Sequence, residues 1–313
     1  MSPWVGLAVF VLGWGGIFWW WRRSRRRPDP FPGASAIDVW RADFERENPV
    51  STPFTDGEIS DFLAWSETLK LPAIRLTPVE RPVRAGGTRI GGPAWLAECE
   101  EWPRDSSGTP LEFLAQLDFG DLPQLPDFPD AGLLQFFIGR DDMFGVDHET
   151  PERGKAKLIW RPVLPGNGAL LSPPPIAGDE CLSDFTPYHD EVVRAIGMTL
   201  SGQIRESWPE SHDWRIRERL EGQLRRPGID RIEDMLVAEA RLPDLAHHVG
   251  GNTAFVQGDF RTAGRFADYR VLLRLSSETG LMWGDVGEAA FLISQRDLLA
   301  RRFDRVIFYW DCG

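Results

Sequence analysis

The residue types best suited to recognising a ligand lie at Trp283-Gly284-Asp285, together with Gln116, Asp118 and Gln135. An indole beside a glycine turn offers a flat stacking face. An aspartate and two carboxamides add oriented donors and acceptors, a set that suits a ligand groove or a partner hot spot. Arg89 and Arg274 are the cations available to pair with those acids. A second reading stands beside this one, in which Asp285 caps a turn and Trp283 fills the core between two halves of the fold.

Other constellations point to structure rather than chemistry. His247 and His248 are adjacent, and neighbours on a strand face opposite ways, so the two do not share a metal. The remaining histidines are His148, His189 and His212, and no spacing among the five assembles three or four ligands. Gly86-Gly87 and Gly91-Gly92 lack the G-x-G-x-x-G pattern or a following lysine that would make a phosphate cradle, so they read as turn glycines. There is no G-x-S-x-G elbow. Cys99, Cys181 and Cys312 are scattered and odd in number, which fits a reducing compartment. No cofactor is expected.

Acidic residues outnumber basic ones by 47 to 35, for a net charge of −12. Five of the cations lie in one run, Arg22-Arg23-Ser24-Arg25-Arg26-Arg27, so the rest of the chain is more acidic still and poorly suited to nucleic acid. That run follows Trp4 to Trp21, an uncharged apolar stretch ending in three tryptophans. At about 1.5 Å per residue it matches the ~30 Å hydrocarbon core as a helix. A secretory signal would carry its positive charge before the apolar stretch. The arginines instead stay on the cytoplasmic side. The expectation is a single span over 4–21 in the inner (cytoplasmic) membrane, N-terminus out, with a soluble cytoplasmic domain. Residues 1–27 are then the anchor with its basic flank, 28–54 a Pro-rich linker and 55–313 the soluble domain.

Within that domain, Thr55-Asp56-Gly57-Glu58 is a capping box opening a helix that Pro72 closes. Helices are also expected from Asp213 to Leu224, from Asp230 onwards, and from Gln295 to Phe303 behind Ser294. Strand-like runs include Leu133 to Ile138, Lys157 to Trp160, Val271 to Leu275, Ala290 to Ile293 and Val306 to Trp310. Strands without regular intervening helices predict an α+β, mainly antiparallel, β-rich fold. Two stretches match in order: Gly91-Gly92, Leu114 to Asp118 and Gly132 to Phe137, against Gly250-Gly251, Leu272 to Ser276 and Gly287 to Phe291. They predict a duplicated domain with halves at about 72–165 and 245–313.

Four patches resemble the YwqG-like family, a bacterial domain of unknown function. They are Arg89 to Leu96 with Glu101-Trp102-Pro103; Pro110 to Asp118; Asp130 to Phe137; and Met282 to Gly287 with Phe291 to Ile293 and Asp297-Leu298. Together they bracket about residues 72–310. The chain departs from the family's pattern at Ala97, where proline is frequent, and at Arg274, where glutamine is frequent. The resemblance implies a β-rich duplicated α+β fold and no reaction, and the occurrence of some relatives in toxin–immunity gene neighbourhoods makes an immunity or interaction role the lead it offers. The expected function is a membrane-anchored binding module with a protein partner. The alternative is an enzyme or small-ligand binder with a cleft between the halves, where Trp283, Asp285 and Gln116 would converge.

Overall fold

The computed structural model describes residues 52–163, 166–175, 185–221, 226–229, 247–253 and 255–313. The expected span at 4–21, the linker before residue 52, Cys181 and the helix expected from Asp230 lie outside them. No helix among the described residues is long and apolar enough to cross a membrane.

The capping box forms as its residues dictate. Glu58 N donates to Thr55 Oγ1 at 3.2 Å and Thr55 N to Glu58 Oε2 at 2.9 Å, opening helix α1 (Asp56–Glu67). The helix ends at Glu67, and Pro72 lies inside strand β1 (Leu71–Pro78) rather than terminating the helix directly. The chain continues through β2 (Arg89–Ile90), β3 (Ala94–Ala97), β4 (Glu112–Asp118), β5 (Leu133–Ile138), β6 (Lys157–Arg161) and β7 (Gly168–Leu171). Helix α2 (Glu191–Ile196), which the pattern of apolar residues did not announce, leads into β8 (Met198–Ser207). Helix α3 (Trp214–Arg219), β9 (His247–Gly250), β10 (Tyr269–Ser276), β11 (Glu288–Ser294), α4 (Gln295–Leu299) and β12 (Ile307–Asp311) complete the order. Ser294 caps α4 as expected, its Oγ accepting from Asp297 N at 3.1 Å.

Ten strands make one mostly antiparallel sheet in the order β12-β11-β10-β9-β1-β8-β2-β4-β5-β6, and β3 pairs with β7 apart from it. Its two ends match residue for residue. Arg89 lies opposite Gln116 as His248 lies opposite Arg274. Gly91-Gly92 and Gly250-Gly251 follow, all four with φ between +66° and +72°, where a side chain would be strained. A bulge falls at Leu114 in β4 and at Leu272 in β10. Each bulge sends two successive residues to one face, Leu114 with Ala115 and Leu272 with Leu273. Apart from Ala115, with 2% exposure, those residues are wholly hidden from solvent.

The leading strands cross over. β1, at the start of the first expected half, pairs with β9 of the second, whereas β8 pairs with β2 of the first. β1 and β8 pair with each other from Leu71↔Ser207 to Pro78↔Leu200. Ile74 lies opposite Val249 and Met198 opposite Ile90, so these two strands occupy matching positions, with Thr77↔Ser201, near one end of their ladder, pairing two equivalent residues.

Both halves turn one face to a shared core. Phe136 of β5 and Phe291 of β11 meet there with ring centroids 4.8 Å apart. The opposite faces are covered separately, by Leu96, Trp102, Leu111 and Phe113 over the first half and by Phe255 and Phe260 over the second. The outer strand of each half also touches the other half: Trp160 of β6 packs on Phe303 at 5.1 Å, and Tyr309 of β12 on His148 at 5.0 Å. Phe136→Ala and Phe291→Ala are each expected to cost about 3–5 kcal/mol by urea unfolding. In a double-mutant cycle the pair should show coupling of about 0.5–1.5 kcal/mol, whereas strict additivity would mean the two rings do not share a core.

Candidate functional site

Arg89, Gln116 and Gln135 do come together, but as a wholly internal network. They occupy one register row of β2, β4 and β5 on the face turned away from the shared core. Gln116 Nε2 donates to the carbonyls of Ala85 and Gly87, each at 2.8 Å. Its Oε1 accepts from Arg89 Nη2 at 3.3 Å and Gln135 Nε2 at 3.4 Å. Gln135 also donates to Trp95 O at 3.0 Å and accepts from Arg161 Nε at 3.2 Å, and Arg161 ends the chain on Glu100 at 2.6 Å. Arg89 further donates to the carbonyls of Gly91 and Pro93. Burial pushes the Arg89 guanidinium down to about 10, which leaves it charged at neutral pH. Gln116 and Gln135 have no solvent exposure and Arg89 has 1%, so this row braces the strands instead of facing a ligand. Gln116→Leu would strip four partners and should cost about 2–4 kcal/mol, read as a lowered urea midpoint.

The other sequence candidates lie apart. Trp283 has no exposed surface and is wedged against Phe144 and Phe308, so it presents no stacking face. Asp285 is exposed on the turn after it, and its carbonyl accepts from Gly313 N at 3.2 Å. Asp118 caps its own turn through Gly120 N at 3.0 Å. Arg274 holds the position in β10 that Gln116 holds in β4, and pairs with Glu288 at 3.1 Å and Glu210 at 3.6 Å. Trp283, Asp285 and Gln116 therefore form no common cleft.

An open concavity occurs elsewhere, on the outer side of the second half. It is a cleft of about 160 Å³ walled by Trp214, Arg215, Asn252, Arg261, Tyr269 and Arg270. Two of its arginines are fixed in the same way. Asp213 caps α3 at Arg215 N, 2.9 Å, and grips the Arg215 guanidinium at 2.9 and 2.7 Å. Asp259 accepts from Arg261 N at 3.0 Å and holds that guanidinium at 2.5 to 3.1 Å. Arg215 also reaches Asn252 Oδ1 at 2.7 Å, and Arg261 reaches Tyr269 O at 3.0 Å. Among the described residues Arg270 is hydrogen-bonded through Nη1, to Gln295 Oε1 at 2.8 Å, and its Nε is buried without a hydrogen-bond partner. Forked donors held in place and flanked by two aromatic rings can take an anion with a planar or apolar body. The sequence carried a signal for this cleft, the repeated aspartate-aromatic-arginine triplets Asp213-Trp214-Arg215 and Asp259-Phe260-Arg261. Their distance from Arg270 along the chain concealed their convergence.

His247 and His248 are tied to the scaffold. His248 Nε2 bonds Asn252 O at 3.1 Å. His247 Nδ1 accepts from Ser276 N at 3.2 Å, which leaves Nε2 carrying the proton toward Thr279 Oγ1 at 3.0 Å. In that tautomer His247 cannot take a proton from Thr279, so the pair is no nucleophile and base. No group of three or more His, Cys, Asp or Glu among the described residues is placed to hold a metal. Burial, with Arg274 nearby, pushes His247 down from 6.5 to about 4. The unfolded chain therefore binds a proton that the folded one refuses. Stability is full above pH ~6.5 and is lost as pH falls from there towards ~4, by roughly 2 kcal/mol between pH 7 and 5. His247→Asn, whose amide oxygen can still accept from Ser276 N, should remove that part of the slope in urea titrations at the two pH values.

No curated protein matches the chain. A family model described as a domain of unknown function, DUF1963, matches residues 88–312, from the first strand of the buried network to the end of β12. Its bounds take in both half-ladders, both glycine pairs and the whole arginine cleft apart from Leu71. On that extent of match the chain belongs to the DUF1963 family.

Proposed function

We propose that this chain is a membrane-tethered binding module without catalytic machinery, of the YwqG-like type within its family. The observation that carries this reading is how the polar groups are used. The buried amides and guanidiniums of the first half brace strands, whereas in the second half Arg215, Arg261 and Arg270, each held by its own partners, line an open cleft. Fixed donors with no activated nucleophile beside them among the described residues favour recognition over turnover.

The tether follows from the sequence. The uncharged stretch 4–21 spans, the arginine run after it stays inside, and the soluble domain works at the cytoplasmic face of the inner membrane. Confinement to that layer raises the effective concentration toward membrane-proximal partners. Matching registers, bulges and glycine pairs support an origin of the two halves by duplication. An immunity or protein-interaction role fits a module that binds and does not turn over.

The full-length chain should fractionate with membranes and, once solubilised and captured by a tag, bring down one protein in stoichiometric amount. Recovery in the soluble fraction would defeat the tether. A clean capture with no partner would defeat the protein-binding reading.

A further inference from the structure

The two halves differ at one matched position, and the difference indicates what the cleft takes. Glu112 lies opposite Ile138 in the first half, as Arg270 lies opposite Ile293 in the second. The Gly91-Gly92 and Gly250-Gly251 turns stand beside them in matching registers. In the first half the position is filled by the chain itself. The last turn of α2 lies on the glycine turn, with Gly92 N donating to Val193 O at 3.2 Å and Arg194 O at 3.1 Å. Arg194 then grips the buried Glu112 carboxylate at 3.0 and 3.4 Å, with Arg140 3.4 Å from it on another side.

In the second half no described residue takes that part. Arg194 precedes Met198 by four residues as Lys70 precedes Ile74, and Met198 and Ile74 match across the sheet. The chain at Leu69–Pro72 has already left its helix, and Gly251 N donates to Pro72 O at 3.1 Å. Lys70 turns instead to Glu67 at 2.9 Å and Glu206 at 3.3 Å. The central charge is also inverted: where the first half has a carboxylate filled by its own guanidinium, the second has the Arg270 guanidinium beside an open cleft.

We infer that this cleft is a carboxylate-binding site, the charge-reversed counterpart of the Arg194–Glu112 contact. Within the reading of the protein as a binding module, it names the group the module recognises. Two of the three guanidiniums are each already gripped by a carboxylate. Asp127 stands 3.8 Å from Arg270 and accepts from Gln295 Nε2 at 2.7 Å. With three carboxylates beside three guanidiniums the site is near electrical balance, which suits one carboxylate better than a dianionic phosphate. Trp214, Tyr269 and Leu71 offer apolar surface for a hydrocarbon stem. Two sources share this chemistry: an acidic side chain of a polypeptide and a free carboxylic acid.

The test uses the full-length chain in an uncharged detergent at low salt, with ligand-observed NMR titrations. The probes are N-acetylglutamate α-amide, its glutamine counterpart and butyrate. The expected result is saturable binding of the carboxylate probes, with the glutamine probe weaker by about fivefold or more. Blocked glutamate binding more tightly than butyrate assigns a polypeptide side chain, and the reverse order a free acid; both keep the assignment. Arg270→Gln should weaken the carboxylate probes by about tenfold. Ala267→Glu, at an exposed position on the cleft wall, should weaken them similarly by placing a competing carboxylate there without disturbing the core. Equal binding of the glutamate and glutamine probes overturns the proposal. So does native affinity in the folded R270Q or A267E chain. A protein partner captured equally by native and R270Q chains would leave the binding function standing, while the carboxylate assignment is decided by the probes.

Discussion

The ladder between β1 and β8 holds the molecule in its present form, because each strand belongs by chain order to one half and pairs with the other. Neither half of the sheet can complete its hydrogen bonding alone, since an unpaired buried edge would leave backbone groups unsatisfied. The eight pairs from Leu71↔Ser207 to Pro78↔Leu200 therefore bind the two repeats into one cooperative unit. The shared core around Phe136 and Phe291 follows from that arrangement. Once the ladders extend from opposite sides of a central pair and the sheet twists, their apolar faces can be brought together.

Two nearly identical half-ladders carry different polar chemistry on their outer faces. In the first, Arg89, Gln116, Gln135 and Arg161 form a continuous chain of hydrogen bonds, and Arg194 neutralises Glu112. In the second, Arg274 stands where Gln116 stands in the first, and is tied into an ion pair with Glu288. Arg270 stands where Glu112 does and borders a cleft. A duplicated scaffold of this kind can keep one copy for stability while the other bears a binding surface. A buried polar row hydrogen-bonded from strand to strand can specify register without being a site.

Much of the fold was legible. The apolar runs of β5, β10 and β11 stand where they were expected, because strands buried on both faces read as near-continuous hydrophobic stretches. The match of Leu114–Asp118 with Leu272–Ser276 is the register the strands adopt. β8 was not legible, because Gln203, Arg205 and Glu206 lie on its solvated part and interrupt any apolar pattern. β1 was obscured by Pro72, which reads locally as a helix stop. The candidate site was less legible than the fold. Trp283 and Gln116 have the residue types of a binding surface, and those same types serve a core and a strand brace once buried.

Local physical chemistry sufficed for what depends on neighbouring residues: the capping box at Thr55, the positive-φ glycine pairs, the strand segments and the apolar stretch ahead of the arginine run. Which side chains face water depends on long-range packing, and tertiary structure alone decided it. Whether Trp283 stacks on a ligand or on Phe308 turns on a strand that arrives 25 residues later in the chain. Whether Arg215, Arg261 and Arg270 meet turns on the placement of α3 and two loops against the start of β10. The crossover of β1 and β8 is equally nonlocal, because nothing in either strand names its partner; pairing emerges only when both half-ladders compete to bury the same face.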